Sequence, residues 1–543
     1  MTQISESLGA HEHGIRWDKD EVYDALEILG VEQSVQLGFL NSLLNKYHGL
    51  HHEISYYDFL CGEWLLLFSH VVYAAFLHIQ RDLTHEKWEG KVPVFSDFSH
   101  CESEILGNPH LTRQIVAHVA VLLGNDVAKE ICFERNSIRV GINSRSTLRH
   151  GLREVKTFLH GSFTKKDSSF VFCRPHLNRC TRFEWSKALW NWRKWAREEN
   201  FDYPINTEVN VDFEWRKQTC GNGVLNGFTE VLRTLICLYI PVAFLEAFSD
   251  LRAEAHSLNL IPPKVIYTAN SLHGHMIFKT LAADWKLDGM KILNHQHGGN
   301  YGLDKIHAVE DYETRVSDCF FTLGWLGDSP KQRVLPGAIS SRYSPNIQTS
   351  DKILLNCIAY PANVFRMHFQ PMPGTIIDMM GQTASFVRKI NGRIKITVRR
   401  PPVEFGLETI QVLRQIDNSL AVDDMQHSGI ASYLRSALVI HSYLGTSWLE
   451  TIALNIPTVC FYDSSIYVFR KDALELIDSL KRVGILHESG ESAATFVLAV
   501  KNCLQSWWNQ RDVQDARANF ARRYASFSTQ WPTLWEEEFK KWT

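Results

Sequence analysis

The sequence predicts an α/β protein with two doubly wound parallel sheets that face each other across a cleft. A largely helical region precedes the sheets, and further helices follow them. Three observations support this prediction. From Pro262 onward, short apolar strand-like segments alternate with helical segments. The alternation stops at a polar stretch around residues 340–351, which looks like a linker, and then restarts. Before Pro262, the apolar residues have mostly helical spacing.

The N-terminal part, residues 1–160, is predicted to be mostly helical. Its apolar stretch Trp64–Ile79 and the later stretch Thr234–Leu245 are both shorter than the ~20 apolar residues that a membrane span needs, so we expect buried helices. Residues 160–225 are rich in tryptophan and basic residues. They resemble an insertion or a lid, and Trp185–Arg197 is typical of an amphipathic helix.

The two α/β halves are predicted element by element. In the first half we expect strands at Lys264–Thr268, Lys291–Asn294 and Asp318–Leu323, with a helix at Gly274–Trp285. In the second half we expect strands at Ile353–Ala359, Ile394–Val398, Ala437–His441 and Thr458–Tyr462, with helices at Thr375–Ile390, Glu408–Ile416 and Trp448–Leu454. The predicted domains are 1–340 (α/β core 262–340) and 351–505, followed by C-terminal helices at 506–543.

Composition excludes several classes of function. The chain has 543 residues with 57 basic against 60 acidic side chains, and this lack of a basic excess argues against nucleic-acid binding. Its 11 cysteines form no CxxC pair, which favours free thiols in a reducing compartment. No signal peptide is visible, so we expect a cytoplasmic protein, with association at the inner face of a membrane as an option. No spacing among the 24 histidines indicates a metal site, and we expect neither metal nor cofactor.

The loop Asn294–Gly302 follows a predicted strand and carries the first candidate site. In open α/β sheets, ligands bind at the carboxyl ends of the strands. His295 and His297 are candidate catalytic groups, because a neutral imidazole acts as a general base and a charged one offsets phosphate. Gly298 and Gly299 allow a ligand to approach the backbone closely. The alternative is a tight turn with incidental polar residues.

The segment His441–Asp463 carries the second candidate site. A strand leads into Gly445, Thr446 and Ser447, and a helix then begins with Glu450 in its first turns. Ser447 and Glu450 have the spacing of a capping box. Amides and hydroxyls at such a helix start can hold phosphate, and Glu450 is suited to accept hydrogen bonds from ribose. Capping alone would also explain these residue types.

Two weaker loops follow other strands. Arg399 and Arg400 precede two prolines, and arginine presents a planar fork suited to phosphate or carboxylate. Asn270, Ser271 and His273 follow the strand at Lys264–Thr268 and are expected either to line the cleft or to cap the next helix.

Three segments together resemble a known family. They are YYDFLCGEWLLLFSHVVYAAF (Tyr56–Phe76), QHGGNYG (Gln296–Gly302) and LGTSWLETIALNIPTV (Leu444–Val459). They are similar to the transferases of bacterial surface-carbohydrate biosynthesis, which have a GT-B-like fold of two Rossmann-like domains. More distantly, they resemble Kdo and sialic-acid-type sugar transferases and CDP-glycerol glycerophosphotransferases. The RRPP segment departs from the more usual Arg/Lys-x-His-Pro form.

The resemblance implies a glycosyltransferase that uses a nucleotide-sugar donor, such as a CMP-activated 2-keto sugar acid. The C-terminal domain would bind the nucleotide, and the N-terminal domain would bind a glycan, lipid-linked or protein acceptor. Gln296 and Tyr301 are expected to line the cleft. The alternatives are a CDP-glycerol-type glycerophosphotransferase, a sugar-nucleotide epimerase, or an inactive nucleotide-binding scaffold.

Overall fold

The computed structural model describes most of the chain, and the predictions for residues 1–18, for the linker at 341–350 and for much of 82–167 lie outside the described residues. The described residues are 19–81, 94–95, 109–125, 132–133, 139–143, 168–175, 177, 181–203, 206–220, 224–305, 307–340, 351–358, 375–400 and 408–543. Their helices are α1 Lys19–His48, α2 Ile54–Gln80, α3 Pro109–Leu122, α4 Arg182–Trp192, α5 Phe213–Cys220, α6 Phe228–Tyr239, α7 Phe248–Ser257, α8 Met276–Leu287, α9 Ala308–Val316, α10 Ile376–Ile390, α11 Thr409–Ile416, α12 Gly429–Leu434, α13 Thr446–Ala453, α14 Leu474–Arg482, α15 Gly490–Val500, α16 Leu504–Trp508, α17 Arg511–Tyr524 and α18 Trp531–Phe539.

Helix α2 is the centre of the N-terminal region. Within the described residues it is the helix long and apolar enough to cross a membrane, but 94% of its apolar window is buried inside the protein. It packs against α1, α3, α8 and α9, so the prediction of a buried helix at this position is confirmed. The described part of residues 1–160 also contains the strand Arg139–Asn143, which pairs antiparallel with Asn206–Asn210. The region is therefore not entirely helical.

The first sheet has six parallel strands with the order β6-β5-β4-β3-β1-β2. These strands are β1 Phe170–Cys173, β2 Ala196–Glu198, β3 Val265–Thr268, β4 Lys291–His295, β5 Cys319–Thr322 and β6 Gln332–Val334. All residues of β1, β3 and β5 are buried, as expected for apolar strands covered by helices on both faces.

Residues 160–225 are not an insertion or lid in their described part, contrary to our prediction. They supply β1, β2 and helix α4, so the first α/β core begins near Phe170 rather than at 262. Sequence analysis missed this because the tryptophans resemble an exposed amphipathic segment. In the structure Trp185 and Trp192 pack on the sheet together with Phe172.

The second sheet also has six parallel strands, with the order β9-β8-β7-β10-β11-β12. Its strands are β7 Ile353–Asn356, β8 Thr397–Arg399, β9 Ala421–Val422, β10 Leu438–His441, β11 Thr458–Phe461 and β12 Leu486–His487. The predicted α/β fold class with two parallel sheets is confirmed.

The C-terminal helices divide between the two halves. Helix α17 packs on α13 and α14 of the second half. The chain then returns to the first half, where Phe527–Ser528 pairs with Gly337–Ala338. Trp535 and Phe539 of α18 are buried in the aromatic layer on the first sheet. The last helix therefore completes the first sheet's core.

Candidate functional site

The two loops with the strongest sequence signals meet in the structure. The backbone N–H of Gly299 donates to Oγ1 of Thr446 at 3.0 Å. A Cβ atom on Gly299 would lie only 2.6 Å from the carbonyl carbon of Gly445. The loop after β4 and the start of α13 thus touch through their backbones, with glycine on both sides. Each follows the carboxyl end of a strand, which is where ligands bind in such sheets.

His297 lies beside this contact and is only partly buried, with a side chain 24% exposed. Its Nδ1 is 3.5 Å from Oε1 of Glu313 in α9 and 3.3 Å from the hydroxyl of Tyr301. A histidine that is accessible, next to a carboxylate and adjacent to the inter-domain contact has the surroundings that a general base needs.

A buried charged cluster supports His297. His273 contacts Glu63 of α2 through Nδ1 and Glu313 through Nε2, the latter at 2.6 Å. Burial alone would lower the pKa of His273, but the two carboxylates outweigh it and raise this pKa well above its ordinary value. Nζ of the fully buried Lys279 lies 3.8 Å from Oε2 of Glu63. The cluster therefore joins three helices to the loop that carries His297.

Sequence analysis missed Glu63 and Glu313. A signal existed for Glu63, which together with Asp58 is one of two carboxylates in a mostly apolar helix and belongs to the segment that suggested the family resemblance. Such an acid is almost never fully buried without a partner. Glu313 gave no comparable signal, because α9 contains three acidic residues within its nine positions. Only the fold shows which of them faces the histidines.

His295 does not face this site, contrary to the expectation of a catalytic role. It is 3% exposed and packs against Trp535 and Phe321. Its Nε2 donates to the carbonyl of Leu335 at 3.1 Å, and its Nδ1 accepts from the hydroxyl of Tyr267 at 2.7 Å. Successive strand residues point to opposite faces, and His295 is the last residue of β4, so its side chain lies in the aromatic layer.

Gln296 and Tyr301 pack against residues of the first half and stabilise the loop Asn294–Gly302, rather than line an open cleft. Gln296 Oε1 accepts from the backbone of Leu323 and from the indole of Trp325, and its Nε2 donates to the carbonyl of Gly298. Tyr301 is 4% exposed, and its ring centroid lies 4.1 Å from that of His307. Both side chains hold the loop in shape.

Of the three candidate residues in the loop after β3, only His273 reaches the site. His273 belongs to the charged cluster, as described above. Ser271 is completely buried, and its hydroxyl lies 3.0 Å from Sγ of Cys173. Asn270 is partly buried, and its backbone N–H and that of Ser271 donate to Oγ1 of Thr268. The side chain of Ser271 is therefore directed into the domain, whereas His273 reaches the site.

Arg399 is occupied within its own domain. Its guanidinium donates to Asp423 at 2.7 Å, to the hydroxyl of Ser432 and to the carbonyl of His427. The side chain is 13% exposed, so it stabilises the end of β8, and its guanidinium is not available to bind a phosphate. Arg400, the next residue, is partly buried at the carboxyl end of the same strand. It remains a candidate phosphate ligand.

The start of α13 departs from the predicted capping box. Gly445 is the N-cap residue, and no side chain caps the helix. Ser447 is already inside the first turn and 8% exposed, and its hydroxyl accepts from Nδ2 of Asn356 at 2.9 Å. Thr446 is exposed at the contact with Gly299. Burial raises the pKa of Glu450 to about 7, so its carboxyl changes charge near neutral pH.

A second contact joins the two halves next to the site. Tyr467 donates to the fully buried Asp304, and Arg470 donates to the Asp304 carbonyl at 3.0 Å and to Glu310 at 2.8 Å. Glu310 in turn accepts from the backbone of Gly302 at 2.7 Å. Burial raises the pKa of Asp304 well above its ordinary value. The segment that follows His297 is thus attached to the second half at two points, Gly299 and Asp304.

One group among the described residues has the spacing that a metal ion needs. The ligand atoms of His273, His297 and Glu313 all lie within 4.8 Å of one another. In the structure, however, His273 already bridges two carboxylates and supplies positive charge between them. The expectation of a reaction without metal stays a prediction.

Comparison with known proteins gives a family match and several distant structural likenesses. The model of the LIC12162 family transferase matches residues 16–539. No curated protein matches the chain. The chain aligns with TarM of S. aureus, solved with Fondaparinux, alpha-GlcNAc-glycerol and UDP, at 12% identity over 54% of this chain and 58% of TarM, with a TM-score of 0.35. It also aligns with the wall teichoic acid polymerase TagF at 9% identity over 73% of this chain and 96% of TagF, with a TM-score of 0.33. The alignment with MurG of Acinetobacter baumannii has 11% identity over 69% of this chain and 99% of MurG, with a TM-score of 0.32. The chain therefore spans less than two thirds of TarM.

Proposed function

The chain belongs to the LIC12162 family of transferases, and on that premise we propose that it is a glycosyltransferase whose reaction takes place where its two α/β halves meet. The observation that carries the proposal is the contact between Gly299 and the start of α13, with His297 beside it. A base from one half and a helix N-terminus from the other are thereby brought to one place, as a transfer from a phosphate-bearing donor requires.

The second half is proposed to hold the donor nucleotide. The amides at the start of α13, together with Arg400, are candidate phosphate ligands, since backbone N–H groups and the helix dipole favour anions. Glu450 is a candidate for the ribose hydroxyls. The donor we favour is a CMP-activated 2-keto sugar acid, on the resemblance described above.

The first half is proposed to present the acceptor, a glycan, lipid-linked or protein hydroxyl, at the cytoplasmic face of a membrane. His297 takes the proton of that hydroxyl while the acceptor oxygen forms a bond to the anomeric carbon of the donor. The bond from this carbon to the phosphate oxygen breaks, and the nucleotide leaves with the electron pair. Positive charge near the leaving phosphate lowers the barrier.

The test is product analysis with labelled donors. Purified chain is incubated with labelled CMP-, CDP- and UDP-activated substrates, with and without a panel of hydroxyl acceptors. A glycosyltransferase releases nucleotide and attaches the label to an acceptor. Transfer of glycerophosphate from CDP-glycerol, or isomerisation of a nucleotide sugar without any acceptor, would replace the proposal with one of the two other enzyme classes. Binding without turnover would favour the scaffold.

A further inference from the structure

We propose that Glu313 is a positioning residue for His297, and that His273, held between Glu313 and Glu63, supplies together with Lys279 the positive charge that balances the two carboxylates. The inference rests on the proposed function, in which His297 accepts the acceptor's proton. It assigns roles to the four side chains of the buried charged cluster next to His297.

Glu313 is placed to fix the orientation of the His297 ring. Its side chain is fully buried, and a single oxygen, Oε1, faces both Nε2 of His273 at 2.6 Å and Nδ1 of His297 at 3.5 Å. A carboxylate next to Nδ1 favours the tautomer with hydrogen on Nδ1, and the lone pair is then on Nε2. The separation of 3.5 Å is long for a hydrogen bond, but such bonds tighten when substrate binds.

The cluster must also balance its charge, because buried carboxylates are costly without partners. Two negative groups, Glu63 and Glu313, are 6% and 0% exposed. Two cationic groups face them: His273 between the carboxylates and the fully buried Lys279. These four charges cancel one another, so the cluster is balanced without a charge on the His297 ring, and the form proposed to accept the proton is the neutral imidazole.

The four residues of the charged cluster come from four different elements of the first half. Helix α2 provides Glu63, α8 provides Lys279, α9 provides Glu313, and the loop after β3 provides His273. Tyr301, from the same loop as His297, faces its Nδ1 as well. The N-terminal helical region is therefore part of the proposed active site and not only a scaffold for it.

The reactivity of His297 itself tests the inference without any donor. The full chain is treated with diethyl pyrocarbonate at one fixed pH, and modification of the peptide containing His297 is followed by mass spectrometry. We expect Glu313→Gln to slow modification by at least about threefold, because the ring loses the carboxylate that polarises it. Asp311→Asn is the matched control, because it is also an acid-to-amide change on the same helix but at an exposed position. The rate of His297 modification in this variant should equal that in the unaltered chain.

Two further readouts keep the inference testable if Glu313→Gln does not fold. Nitrogen-15 shifts of His297 in the unaltered chain, assigned from the spectrum of His297→Gln, should show hydrogen on Nδ1. Hydrogen on Nε2, or equal reactivity of Glu313→Gln and the control, would overturn the positioning role. A stoichiometric divalent metal in the purified chain that is lost in His297→Gln would also overturn it, since His297 would then be a ligand.

Turnover separates this inference from the proposed function. If the chain transfers a glycosyl group, Glu313→Gln should lower kcat with little change in donor KM, and Glu313→Asp should restore part of the rate. A purely structural role would instead lower stability and leave kcat per folded molecule unchanged. If no transfer is found but the His297 chemistry behaves as expected, the proposed function fails and the positioning role stands.

Discussion

Replacing Gly299 with alanine should separate the two halves at the proposed active site. The added Cβ would lie 2.6 Å from the carbonyl carbon of Gly445, 2.8 Å from its oxygen and 2.8 Å from the nitrogen of Thr446. All three are backbone atoms, which cannot rotate away. Relaxing the contact to ordinary van der Waals distance requires the two segments to move apart by about 1 Å. The hydrogen bond from Gly299 to Thr446, now 3.0 Å, would be lost.

We expect the overpacking and the lost hydrogen bond to cost about 1–3 kcal/mol together, seen as a lower urea midpoint and weaker nucleotide binding. Gly298→Ala is the matched control. Its Cβ would meet Oγ1 of Thr446 at 3.5 Å and Tyr301 at 3.7 Å, which are ordinary contacts. If Gly299→Ala has the same midpoint and the same nucleotide affinity as Gly298→Ala, the tight contact between the halves does not exist as described.

Four further predictions follow from the packing and charges of the site. The carboxylate of Glu450 forms only as pH rises through about 7, so nucleotide affinity measured by calorimetry should increase about tenfold between pH 6 and pH 8. In Glu450→Gln this part of the increase should disappear, and an unchanged profile would exclude Glu450 from the ribose site. His295→Ala should lower the free energy of unfolding by about 1–3 kcal/mol, because it leaves the hydroxyl of Tyr267 and the carbonyl of Leu335 buried without their hydrogen-bond partner. His297→Ala should leave the free energy of unfolding unchanged and lower kcat by about 10²–10⁴-fold. If denaturation and rate assays show the reverse, His295 is the catalytic residue and His297 the structural one. Arg470→Ala should lower the free energy of unfolding in urea by about 2 kcal/mol. This is less than the loss of a fully buried ion pair costs, because the Arg470 side chain is 25% exposed. An unchanged free energy would mean that the contact of Arg470 with Asp304 and Glu310 does not hold the halves together. Trp535→Ala should cost about 3–5 kcal/mol and increase hydrogen exchange in the first sheet, while increased exchange confined to the second sheet would contradict the placement of α18.

The sequence predicted the second half of the fold with good accuracy. Each strand and helix predicted between 353 and 462 starts and ends within a few residues of its predicted bounds, because apolar runs bounded by polar loops are a local signal. The short elements β9 and α12 were not predicted. The first half was harder to predict. Strands β1 and β2 are separated from β3 by a long stretch of helices, and pairing across such a distance leaves no periodic trace in the sequence.

In the candidate site, too, features set by neighbouring residues in the sequence were predicted, and features set by distant residues were not. The two central loops were identified because histidines, glycines and hydroxyl residues follow strand ends, and the structure brings those loops into contact. What the sequence did not show is the direction of each side chain. His295 and His297 differ by two positions, yet the first packs in the aromatic layer and the second lies at the contact, because β4 ends between them. Arg399 likewise has the right residue type, but Asp423, 24 positions away, binds it.

Hydrogen–deuterium exchange of the full chain with and without nucleotides tests most directly the claim that a donor binds where the halves meet. The chain would be compared alone and with CMP, CDP and UDP, and peptides covering residues 294–302 and 443–453 would be followed by mass spectrometry. We expect at least one nucleotide to slow exchange in both peptides, and to have a smaller effect in Gly299→Ala. Protection elsewhere in the chain, with these two segments unchanged by every nucleotide, would contradict it.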